Sequence, residues 1–98
     1  MSGSITWDGD KNEANKRKHG VSFEEASELF KSGADYLELY DEAHSEVEDR
    51  FIAIGLIEHG IVLVIWTEQY EETTRIISAR WATTREKRLY WEYAEGVS

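Results

Sequence analysis

Arg75 and Arg80 lie in one β-branched segment, Thr74-Arg75-Ile76-Ile77-Ser78-Ala79-Arg80, and Glu68 stands a few residues ahead of it. A guanidinium presents a planar fork of donors that suits a phosphate, and a carboxylate can take or orient a proton. Cleavage of RNA by its own 2′-hydroxyl asks for this combination. It needs a base near that oxygen, a cation for the charge developing on phosphorus, and an acid for the leaving oxygen. Glu68 fits the base or an orienting group, and it fits a solvated strand end equally well. A regular strand would put Arg75 with Ile77 and Ala79, and Arg80 on the other side with Ile76 and Ser78. For both arginines to serve one site, a bulge must re-aim one of them, or one must reach around a strand end.

The three histidines, His19, His44 and His59, are separated by 25 and 15 residues and match no metal-ligand spacing. There is no cysteine, which removes thiolate ligation, disulfides and thiol catalysis. No glycine-rich phosphate loop is present either, so neither a metal nor another cofactor is expected. His19 follows Lys16-Arg17-Lys18 at the end of a helical segment, where it can cap the helix or titrate near neutrality. His44-Ser45 reads as a local loop network rather than a nucleophilic pair, because no nucleophile-elbow context surrounds it. His59 falls in a hairpin turn.

The elements that must hold these residues are legible in outline. Ile5-Thr6-Trp7 is a short extended start. Asp8 or Asp10 caps a first helix that stops near His19-Gly20, with Glu13 completing a capping-box-like pair with Asp10. That helix has little apolar surface beyond Ala14, so it must pack through its ends or stay partly exposed. Ser22 and Glu25 form a capping box for a second helix, whose stripe is Phe23, Ala26, Leu29 and Phe30 and which ends by Gly33. Tyr36 to Tyr40 alternates as a half-buried strand, and Asp41 to Asp49 is an acidic connection. Phe51 to Ile57 and Ile61 to Thr67 make an antiparallel hairpin through Glu58-His59-Gly60. Thr74 to Arg80 is a further strand, and Thr83 with Glu86 opens a last helix carrying Leu89, Tyr90 and Tyr93. The expected fold class is α+β: two N-terminal helices, an antiparallel β-sheet and a C-terminal helix, with the helices on one face.

Composition sets the outer limits. Ninety-eight residues, 41% apolar and 32% charged, suffice for one hydrophobic core, supplied by four Trp, five Tyr and three Phe. Met1 to Ser4 reads as a flexible leader or a cloning scar ahead of one domain over residues 5–95. The longest apolar run, Ile61 to Trp66, is far short of the roughly 18 residues that signal a membrane span, so no membrane association is expected and the cytoplasm is the default location.

The net charge of −9 is unevenly spread. Met1 to Phe23 carries four bases against three acids, and Thr73 to Trp91 five bases against one acid. Between them, Glu24 to Glu72 holds two bases against fourteen acids. If the two basic segments meet in space they form a local anion site on an acidic protein, while most of the acids serve as a solvated face.

Trp7-Asp8, Lys11, Asn15, the run Lys18-His19-Gly20-Val21-Ser22-Phe23 with Glu25-Ala26, then His44-Ser45, Arg50-Phe51, Ala53-Ile54-Gly55, Thr67-Glu68 and Arg75-Ile76-Ile77-Ser78-Ala79-Arg80 resemble the BrnT toxins of type II toxin-antitoxin systems. The similarity runs from Trp7 to about Tyr90. It implies a RelE-like fold and a metal-independent ribonuclease activity that blocks translation. It also implies neutralisation by a BrnA-like antitoxin, with DNA reached only through that antitoxin and a dimer within the complex. By the same resemblance Arg75 and Arg80 contact phosphate, Glu68 and His19 are proton-transfer candidates, and Lys18 and Arg50 help hold RNA. The acidic excess supports a second reading, a toxin-like module that binds an antitoxin or another basic protein without cutting.

Overall fold

The computed structural model describes residues 3–33, 35–70 and 72–96. Strand β1 (Ser4–Thr6) leads into helix α1 (Gly9–His19) and helix α2 (Phe23–Lys31). Strands β2 (Leu37–Tyr40), β3 (Arg50–Ile57), β4 (Gly60–Gln69) and β5 (Thr73–Trp81) follow, with a 3-10 turn at Glu42–His44 between β2 and β3, and helix α3 (Thr84–Ala94) closes the fold. β1 begins at Ser4, one residue before the expected start, and Ser4 bonds Thr73 through their hydroxyls at 3.2 Å. Met1 and Ser2 of the expected leader lie outside the described residues.

Local signals set the helix ends. Asp8 caps α1 by accepting from the backbone of Asp10 and Lys11, and Gly20 ends it in the left-handed conformation at φ 73°. The capping boxes expected of Ser22 with Glu25 and of Thr83 with Glu86 form, whereas the pair expected of Asp10 with Glu13 does not, because Asp8 is the cap and Asp10 lies inside the helix.

The sheet order is β1-β5-β4-β3-β2. β2 to β5 form the expected antiparallel meander, but β1 joins β5 in parallel, Ser4 opposite Thr73 and Thr6 opposite Arg75. The sheet is therefore mixed, not antiparallel throughout. The partner of β1 comes only at the end of the meander in the chain, so no nearby hairpin turn announces its direction.

The expectation that all helices share one face is also corrected. Along β3 and β4, Ala53, Ile57, Val62 and Val64 point to one face and pack with Val21, Phe23, Ala26 and Leu29 of the α1–α2 layer. The alternate residues Ile54, Ile61 and Leu63 point to the other face and pack with Ala82 and Tyr90 of α3. Nearly continuous apolar strands such as Phe51–Ile57 and Ile61–Ile65 require cover on both sides. At Gly55 a Cβ would lie 2.4 Å from the Leu29 side chain, so the missing side chain is what lets α2 settle on β3.

α1 packs in a way its composition hides. Ala14 is exposed, whereas Asn12 and Asn15 are buried. Asn15 donates to the carbonyls of Val21 and Ala79 at 2.9 and 2.8 Å, and its oxygen accepts from Ala79 N–H at 3.2 Å. Its amide thus pairs with β5 as a neighbouring strand would. Asn12 donates to Glu24 and accepts from Phe23 N–H, fastening α1 to α2. Two buried side-chain amides replace the missing apolar stripe, because every polar atom buried here has a partner.

Candidate active site

α3 covers only one end of its face of the sheet. Beyond Tyr90 the strands lie open, with Ile52 and Ile65 only partly buried. The site rests on this open half, and a bulge in β5 determines what it displays. Ile65 pairs with Ser78 and the next residue, Trp66, pairs with Ile76, so Ile77 is left without a partner. Thr67 then pairs with Arg75 on one side and Arg50 on the other, while Leu63 pairs with Arg80. Directly paired residues point to the same face, so Arg50, Arg75, Ser78 and Arg80 all project from the α3 face. The sequence left two ways to bring Arg75 and Arg80 to one side of the sheet, and the bulge is the one observed.

Arg80, Arg50, His44, Asp41, Ser78 and Glu86 line a cleft of about 380 Å³ floored by Ile52, Leu63, Ile65 and Ile77. Its arginines differ in how firmly they are held. Arg80 makes a two-pronged pair with Glu86, each nitrogen–oxygen distance 2.8 Å. Glu86 also accepts from Thr83 N–H as part of the α3 cap. The Arg80 bonds, followed by the Thr83 N–H, hold the Glu86 carboxyl down at about 2 against the opposing pull of burial. The same pairing raises Arg80 above the ordinary arginine value. Its guanidinium is a fixed cation whose orientation α3 sets.

Arg50 is looser. Its Nη2 lies 3.5 Å from Glu48, and its Nε is buried with no partner among the described residues. Its backbone is pinned instead, since Ser45 Oγ accepts from Arg50 N–H at 2.9 Å and donates to the Asp41 carbonyl at 2.6 Å. Arg75 sits between Thr6 and Thr67 in the register, beside the cleft rather than in its lining. Its charge is one of the smaller contributions lowering the Asp8 carboxyl, after the backbone N–H groups of Lys11 and Asp10.

Asp41 and His44 enter the cleft from the acidic connection. His44 Nδ1 lies 3.1 Å from both Asp41 oxygens; the Asp41 side chain is 10% exposed and that of His44 69% exposed. An ionised carboxylate can only accept, so Nδ1 carries a proton, and in the neutral ring the lone pair is then on Nε2. The loop network expected at His44-Ser45 is present. What sequence reading missed is that Asp41, His44 and Glu86 join the arginines. The available signals were the Asp-x-x-His spacing and the position of Glu86 in a capping box.

The other expected site residues fall elsewhere. Glu68 follows Thr67 in β4, so it points to the opposite face from Arg50, Arg75 and Arg80, and it is exposed. Lys18 and His19 stand at the end of α1 and do not line the cleft. The two basic segments do adjoin, through Asn15 of α1 and Ala79 of β5. A larger hollow, about 620 Å³, lies between β1 and α2 along Ile5, Trp7, Phe30 and Thr74, and no arginine or histidine lines it. Among the described residues no group of three or more His, Asp or Glu side chains is placed to hold a metal ion, and no helix is long and apolar enough to cross a membrane.

Comparison with known proteins agrees with the sequence resemblance. Residues 7–86 match the family model described as the ribonuclease toxin, BrnT, of type II toxin-antitoxin systems. No curated protein matches the chain. Among solved structures it is similar to the crystal structure of the Brucella abortus ribonuclease toxin, BrnT. That likeness has 30% identity and a TM-score of 0.67, and spans 85% of this chain and 100% of that one.

Proposed function

The chain belongs to the BrnT family, the ribonuclease toxins of type II toxin-antitoxin systems, and from that premise we propose that it is a metal-independent endoribonuclease working on the open half of the α3 face. The observation that carries this reading is the β5 bulge, which sets Arg75, Ser78 and Arg80 on the same face as Arg50. An RNA strand laid along that face meets a row of cations over an apolar floor. Arg80, oriented by Glu86, faces the reacting phosphate and stabilises the charge that develops on it. Arg50 and Arg75 hold neighbouring phosphates, and Lys18, which belongs to α1 on the other side of the sheet, is left out of this reading. The 2′-oxygen attacks phosphorus, the bond to the 5′-oxygen breaks, and a cyclic phosphate results. Neither Glu68 nor His19 takes part in this reading, because neither lies in the cleft.

In the cell such cleavage inhibits translation in the cytoplasm. A BrnA-like antitoxin, which itself binds DNA, neutralises the toxin, and the assembly proposed is a dimer of the two-protein complex. The acid-rich remainder of the surface steers a basic partner toward it.

Expression in a bacterial host without antitoxin tests the reading. Growth arrest with new RNA ends is expected, and Arg80→Ala should relieve the arrest, with cleavage reduced about 100-fold, the usual loss for one charge-stabilising donor. Circular dichroism on the purified variant verifies the fold. Full toxicity in both Arg75→Ala and Arg80→Ala would overturn the site. A second reading, an antitoxin-binding module without cleavage, is favoured by the carboxylate of Glu86 occupying two nitrogens of Arg80. Normal growth with soluble wild-type protein would select it.

A further inference from the structure

The arginines of the cleft can neutralise charge but cannot accept a proton, since a guanidinium stays protonated in proteins. Strand cleavage by a 2′-hydroxyl needs an acceptor for that proton, and the expected acceptors, Glu68 and His19, lie outside the cleft. The titratable side chains that line it are Asp41, His44, Arg50, Arg80 and Glu86. Glu86 is committed to Arg80 through both oxygens, and Asp41 to His44. His44 alone presents an unengaged titratable atom, Nε2, on a largely exposed ring.

We infer that His44, oriented by the buried carboxylate of Asp41, is the general base of this cleft. The inference rests on the ribonuclease reading above and adds the residue that moves the proton. Asp41 accepts from Nδ1–H, which fixes the tautomer with the lone pair on Nε2 and stabilises the imidazolium once it forms. Nε2 takes the proton of the 2′-hydroxyl as the 2′-oxygen bonds to phosphorus. The bond from phosphorus to the 5′-oxygen breaks with its electron pair on oxygen, which takes a proton from water. His44 then returns its own proton to solvent. Asp41 acts only through His44 and is a positioning residue.

The loop that carries the pair is itself fixed to the arginine row. Ser45 Oγ bonds the Asp41 carbonyl and the Arg50 N–H, and Asp41 N–H donates to the Arg50 carbonyl at 2.9 Å. The charged groups around His44 are Asp41, Glu46 and Glu48 of the connection, Arg50 of β3, Arg80 of β5 and Glu86 of α3. Acids of the connection and of α3 and arginines of the sheet therefore share these walls with the imidazole.

The test uses purified full-length protein and a synthetic RNA oligonucleotide, with single-turnover cleavage followed from pH 5 to 9. Wild-type cleavage is expected to rise with pH, because only the neutral imidazole can accept the proton. His44→Ala should be slower at pH 7 by about 100-fold, within the usual range for loss of a general base. It should lose that rise and regain activity on addition of free imidazole. Its binding to a 2′-deoxy analogue of the same oligonucleotide, read by fluorescence anisotropy, should stay within about threefold of wild type. Asp41→Asn should slow cleavage less and displace the rise along the pH axis. Wild-type cleavage together with a His44→Ala variant of equal rate and equal pH profile would overturn the assignment while leaving the ribonuclease reading intact. A wild-type protein that binds the analogue and cleaves nothing would instead overturn the ribonuclease reading, and this one with it.

Discussion

The two faces of the sheet begin alike and are finished differently. Ala53, Val64, Ile76 and Ala79 disappear entirely beneath the α1–α2 layer, whereas Ile52 and Ile65 on the other face stay partly open because α3 reaches only the end marked by Tyr90. The covered face is a core in the ordinary sense. The half-covered face keeps the rigidity of the same strands and lends it to charged side chains, so Arg50, Arg75 and Arg80 are displayed from a floor that cannot yield. One sheet thus has a closed face and a half-open one, because two helices cover the first and a single helix covers only part of the second.

Substitutions sharpen or break that contrast. The largest stability loss is expected for Phe23→Ala, about 3–5 kcal/mol for a fully buried aromatic, against below about 2 kcal/mol for Ile65→Ala, whose site is partly open and part-collapsed onto solvent already. Urea denaturation of both variants decides the matter, and equal losses would mean that the open face is as much a core as the covered one.

Next comes Asn15→Ala, which leaves the N–H and C=O of Ala79 without their side-chain partner at the margin of the covered face. A cost of about 2–3 kcal/mol is expected for buried polar groups left unpaired, with faster amide exchange at Ala79. Unchanged exchange there would show that α1 is not what closes the edge of β5.

The smallest effect belongs to the cleft, where Glu86→Gln should cost about 1–2 kcal/mol through the loss of a charge-assisted, partly exposed pair. The pH dependence has a definite sign. Glu86 is held at about 2 in the folded protein against an ordinary 4.5, so on acidification the unfolded chain takes up the proton first. The contribution is therefore whole above pH 4.5 and fades as pH falls toward 2. Wild type and Glu86→Gln should differ most in thermal melts near neutrality and converge in acid.

Much of the framework was legible in the sequence. The capping boxes of α2 and α3, the left-handed stop at Gly20 and the β3–β4 hairpin arise from residues within a few positions of one another, and they formed as expected. α1 was legible as a helix but not in its packing, since Asn12 and Asn15 are polar residues whose burial makes sense only beside Glu24 and Ala79. In the candidate site the arginines could be nominated by type. The contribution of Asp41 and His44 could not, because a short-range pair in an acidic connection becomes a cleft wall only when that connection folds beside Arg50 and Arg80.

By itself the sequence determined the helix boundaries, the apolar strands and the supply of arginines, all of which rest on local hydrogen bonding and side-chain periodicity. Only the tertiary structure decided that β1 pairs with β5 in parallel, that α3 covers the face opposite α1 and α2, and that Ile77 bulges to align Arg75 with Arg80. Those outcomes depend on pairings between residues as far apart as Ser4 and Thr73, where strand direction and register follow from which faces must be buried together rather than from any neighbouring residue.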